Sequence, residues 1–115
     1  MANKRFSDDL IEIDEILILI AKHNVHPDDH TELRQIISDL AYHELLAGLL
    51  HKTPKHQHQQ LIHHSHNSNT DELLLWLKNE VHEDVVNEVK KLAQNLKKEI
   101  LSEIHQAKKK KYDWQ

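Results

Sequence analysis

The sequence predicts an all-α fold of two shorter antiparallel helices and one long C-terminal helix, the bundle being completed by self-association. Three observations point to it. The 115 residues include one glycine, two prolines and only 4% aromatics, a mix that suits solvated helices and not a turn-rich β fold. From Thr70 to about Lys110 there is neither glycine nor proline. Along that stretch Leu74, Leu77, Val81, Val85, Val89, Leu92, Leu96, Ile100 and Ile104 recur in steps of three or four, which is helical periodicity. The length fits one domain, residues 1–115, with a modest core.

The first helix is predicted over roughly 7–23. Ser7 is its expected N-cap, and Asp8 and Asp9 place negative charge at the positive end of the helix dipole. Phe6 and Ile11 stand at the positions of a hydrophobic staple. Phe6, Leu10, Ile13, Leu17 and Ile20 share one face, with Asp8, Glu12 and Glu15 opposite. The run Ile16 to Ile20 is apolar almost all round, so this helix is expected to be buried on more than one side.

The second helix is predicted over 27–50. Pro27 suits a first helical position and is followed by Asp28 and Asp29. Leu33, Ile36, Ile37, Leu40, Ala41 and Ala47 mark its apolar side, and Glu44 falls near the middle of that side by helical phase. Gly48 either lets another helix cross closely or ends this one early. The short link around Pro27 makes the first two helices antiparallel neighbours.

Residues 51–69 break the pattern. They hold Pro54, three Gln, and His51, His56, His58, His63, His64 and His66, with Leu61-Ile62 as the only apolar anchor. The expectation is a His-rich loop. Ser68 or Asn69 then caps the third helix, predicted over 70–110, Ser68 and Asp71 having the spacing of a capping box. Acidic residues lead that helix and lysines close it, in keeping with its dipole.

Lengths decide the assembly. At 1.5 Å per residue the helices run to about 27, 37 and 60 Å. A hairpin of the first two cannot cover the third. Either the long helix bends back between Asn79 and Asp84, or its distal part, Val89 to Ile104, pairs with a second copy. The homodimer is the preferred expectation, because a wet row forfeits roughly 1.5 to 3 kcal/mol per large side chain.

The chemistry open to this chain is that of histidine. There are 12 of them, and with all neutral the net charge is −4, so full protonation would carry the chain to +8. Neutral imidazole suits Zn²⁺, Ni²⁺, Cu²⁺ and Co²⁺, and a mobile loop carrying His51, His56, His58, His63, His64 and His66 can gather several nitrogens around one transition metal ion. The bland alternative is a polar loop with incidental histidines. His23, His26 and His30, with Asp29, form a second and weaker cluster near the first helix junction. Asp39 and His43 have the i, i+4 spacing at which a carboxylate orients an imidazole. His82 lies beside Glu80, Glu83 and Asp84, more simply a wet acidic face than a ligand set.

Other classes find little support. Glu-x-x-His and His-Glu-x-x-His are both missing, and Glu12-x-x-Glu15 and Glu80-x-x-Glu83 lack the Glu-x-x-Asp partner that helical magnesium-dependent pyrophosphatases require. One glycine allows no phosphate-cradling loop, and the lack of cysteine removes thiol nucleophiles, thiolate metal sites and disulfides. An enzyme is not expected. Lys108 to Lys111 with Tyr112 and Trp114 form a basic tail, but the acidic body argues against nucleic acid. Ile16 to Ala21 is too short for a signal-peptide core or a membrane span, so a soluble, cytoplasmic protein is expected. The functional expectation is a small, self-associating binding protein whose His-rich segment takes a transition metal. Its rivals are a structural or regulatory adaptor of the immunity, antitoxin or effector type with incidental histidines, and a pH-responsive module.

Overall fold

A computed structural model describes residues 5–22 and 27–113, the side chains of 27–28 and 105–113 lying outside the description. It is all-α, with no strand among the described residues. The elements are α1 (Phe6–Leu10), α2 (Ile13–Lys22), α3 (Pro27–Lys52), a 3₁₀ turn (Lys55–Gln57), α4 (His58–Asn67), α5 (Thr70–Trp76), a π turn (Leu77–Val81) and α6 (Glu83–Asp113). The molecule measures 54 × 28 × 18 Å. None of its helices is long and apolar enough to cross a membrane, among the described residues.

The predicted first helix is two. The chain turns at Ile11 and Glu12, and Glu12 takes a left-handed φ of 55°, a conformation that costs a non-glycine residue roughly 1–2 kcal/mol. The turn swings Ile11 wholly into the core beside Phe6, Ile13, Ile16 and Ile20. It also presents Glu12 to Lys97 of α6, whose Nζ donates to Oε1 at 3.0 Å. Lys97 is bonded to Glu15 as well, so one ammonium clasps the bend. The cap of α1 is Arg5 and not Ser7: the Asp8 carboxylate accepts from the Arg5 backbone N–H at 3.2 Å. Ser7 lies inside, its Oγ without a hydrogen-bond partner.

Helix α3 begins at Pro27 as expected and runs to Lys52. Its buried side is Ile37, Ala41, Tyr42, Leu45 and Leu49, rotated from the predicted side, so Ile36 and Leu40 are 55% and 43% exposed. Glu44, placed by phase near the middle of the predicted apolar side, is exposed. Gly48 serves the close crossing: a Cβ there would stand 2.6 Å from Leu92 Cδ2 of α6.

The expected loop over 51–69 is largely helical. Pro54 precedes the 3₁₀ turn, and α4 follows with Leu61 and Ser65, one turn apart, buried on its inner side. Histidine, glutamine and serine are passable helix formers, and two inward residues suffice to dock a ten-residue helix. Asn69 caps α5, its Oδ1 accepting from the Glu72 N–H at 2.8 Å while its Nδ2 donates to the Glu72 carboxylate. The cap is therefore Asn69, one of the two expected, and Glu72 bonds its side chain where Ser68 and Asp71 were to form a box.

The long C-terminal helix breaks where bending was the alternative expected. Residues 77–81 wind as a π turn closed by the His82 N–H on the Leu77 carbonyl (2.9 Å), and His82 is extended. Gln57 Nε2 donates to the Glu80 carbonyl at 2.7 Å, so the 3₁₀ turn satisfies a carbonyl freed by the irregular winding. Beyond the break α6 lays Val85, Val89, Ala93, Leu96 and Ile100 on α1, α2 and α3. Even Ile100 is only 8% exposed. The row that was to need a second copy is covered within one chain as far as Ile100, which removes that premise for a dimer.

Candidate functional site

The histidine tract is the strongest chemical signal in the sequence, and three of its six rings are structural. His58 Nε2 lies 2.8 Å from the Thr53 carbonyl, which requires Nε2 to carry a proton and donate. His64 Nδ1 bonds Ser68 Oγ at 2.9 Å, and its ring lies 4.9 Å from that of Trp76, joining α4 to α5. His66 Nε2 is 3.0 Å from the Tyr42 hydroxyl, joining α4 to α3. His63 is exposed, its Nδ1 accepting from Asn67 Nδ2 at 3.2 Å. His51, in the last turn of α3, and His56 are exposed.

These six rings do not converge. Among the described residues no three His, Asp or Glu side chains form a group able to hold a metal ion. The helical winding of α4 is the cause, since it points consecutive rings to different sides. His23 and His26 of the second cluster lie outside the described residues, as do the side chains of Lys108 to Lys111, Tyr112 and Trp114.

Tyr42 is the hub that periodicity could not reveal. Its hydroxyl meets Ser65 Oγ at 3.2 Å as well as His66, and Ser65 donates onward to the Ile62 carbonyl at 2.7 Å. Its ring is flanked by Phe6, with centroids 6.0 Å apart, and by the Arg5 guanidinium 4.8 Å from its centroid. Arg5 Nη1 then donates to Asp39 at 2.7 Å, and Gln35 donates to the same oxygen. Arg5, followed by Gln35, holds the Asp39 carboxyl below the ordinary value. The i, i+4 spacing of Asp39 and His43 had suggested a carboxylate orienting an imidazole; the carboxylate is instead bonded to Arg5 and Gln35. A cation, an aromatic ring and two helices meet here, at a site that reads as a clamp.

The other feature is a groove of about 350 Å³ between the C-terminal half of α3 and the start of α6. Leu49, Val85, Val89 and Leu92 form its floor, while His51, Lys52, Glu88, Lys91 and Asn95 stand along its lips. Lys52 Nζ is 3.6 Å from Glu88. Gly48 lines the groove, its missing side chain letting Leu92 come close. Comparisons of this chain with protein-family models, with curated proteins and with solved structures find no match.

Proposed function

We propose that this chain is a small helical binding protein that self-associates and acts by contact, with no catalytic step of its own. The support is the outward row on α3. Ile36 and Leu40, one turn apart, are two of the five exposed large apolar residues among those described, and exposed Ala47 lies on the same side beyond His43 and Glu44. An isologous pairing of this row with the same row of a second copy is the simplest way to cover it. Sedimentation equilibrium at two protein concentrations tests this. The wild type is expected to gain mass with concentration, and a chain carrying Ile36→Glu and Leu40→Glu to stay monomeric with unchanged helical circular dichroism. A wild type that is monomeric at both concentrations retires the proposal. The same measurement at pH 5.5 tests the pH-responsive alternative, and a cytoplasmic setting fits either.

A second reading concerns metal. His63 and His66 are exposed and one turn apart on α4; with His66 holding Tyr42 through Nε2 and binding through Nδ1, a pair from each of two copies would supply the four nitrogens that Zn²⁺ favours. Ni²⁺, Cu²⁺ and Co²⁺ also accept imidazole. Titration calorimetry with Zn²⁺ and Ni²⁺ should show uptake that Ser at position 63 reduces. Equal, weak uptake by the wild type and the His63→Ser chain removes a metal role for the tract.

A further inference from the structure

We infer that the groove between α3 and α6 is a binding site for a small amphiphile with one aliphatic chain and one carboxylate. This does not rest on self-association, since the groove lies off the outward row of α3.

The floor settles what kind of tail it takes. Leu49, Val85 and Val89 are buried in the core and Leu92 is half-buried, so the base offers methyl groups and no hydrogen-bonding side chain. Leu49, Val85 and Val89 are already only 2–6% exposed, so burying an aliphatic chain there removes apolar surface from water on the ligand and on Leu92, at about 25 cal/mol per Å². A volume of about 350 Å³ is small for a binding pocket. It suits a short aliphatic chain and not a full-length lipid.

The lips settle the head group. Lys52 and Lys91 stand on opposite helices across the mouth, and His51 is beside them. Among the described residues Glu88 is the one acidic residue on the lips, and it is already engaged by Lys52. A single anion at the mouth therefore meets two ammonium groups with one carboxylate to counter them. An alcohol of the same length would gain only the floor. The mouth is open to solvent, so the charge contribution is that of an exposed pair, worth about threefold in affinity.

The test is a methyl-detected NMR titration of the full chain with decanoate below its micelle concentration, with decanol and acetate as comparators. Expected are saturable shifts confined to Leu49, Val85, Val89 and Leu92, about threefold tighter binding of decanoate than decanol, and none of acetate. Lys91→Glu should erase the preference for decanoate, and Glu88→Gln should raise it. Both positions are exposed, so neither change threatens the fold. Equal affinity for decanoate and decanol in the wild type overturns the inference. So does a pattern of shifts centred on Ile36 and Leu40, which would mark non-specific adsorption to the outward row.

Discussion

Ser7 is a sharp test at the level of single residues, because its two readings predict opposite signs. As an N-cap it would cost about 1 kcal/mol to replace with alanine. Buried with its hydroxyl unpartnered, it should instead yield a gain of about 1 kcal/mol on Ser7→Ala, since desolvating that hydroxyl is a cost the folded state bears alone. Urea unfolding at pH 7 decides the sign. Lys97 sets a pH dependence. Its hydrogen bond and charge hold the Glu15 carboxyl below its ordinary value, so the linked stability is fully present above the unfolded value of about 4.3 and is lost as pH falls through the folded one. Lys97 itself is raised, first by Glu15, so its share persists until pH rises past about 10.4. The thermal midpoint should therefore fall more steeply below about pH 4.5 in the wild type than in a Lys97→Met chain. Individual partners of this kind were illegible in the sequence. Arg5 and Asp39, or Glu12 and Lys97, are brought together by tertiary folding, which spacing along one helix does not report.

At the level of helices, what could be read depended on how regular each one is. The start of α3 at Pro27 and the amphipathic course of α6 carry strong local signals, and both stand. The break, a π turn over Leu77–Val81 followed by extended His82, overlaps the window from Asn79 to Asp84, where acidic residues gather although the apolar row continues through Val81 and Val85. Its π winding had no signal at all. The turn at Glu12 was hidden because a continuous helix satisfies the same apolar period. Helix α4 was mistaken for a loop on composition; the signal overlooked was Leu61 and Ser65 on one side, behind Pro54, with no glycine to stop the winding. Two changes probe these elements. His82 caps α6 through its Nδ1, which accepts from the Asp84 N–H at 3.0 Å, so His82→Ala should cost about 1 kcal/mol and His82→Ser should recover most of it. Tyr42→Phe removes the hydroxyl that joins α3 to α4 while leaving Ser65 bonded to Ile62. A loss of about 1 kcal/mol is expected, with hydrogen exchange quickening in α4 ahead of the other helices.

At the level of the whole molecule, the fold class was legible because composition and period agree along nearly all of the chain, whereas its closure was not. Straight rods of about 60 and 37 Å cannot cover each other, but one extended residue and a π turn shorten the longer rod and fold the surplus back. The exposed large apolar residues among those described lie on α2, α3, α4 and α5, and the self-association experiment is aimed at the pair on α3. Because α6 packs on α1, α2 and α3 together, it acts as the keystone of the structure. A chain cut before Glu83 would leave Leu49 and the inner side of α3 without the cover that α6 gives them, so such a fragment should be readily cleaved by protease where the whole chain resists.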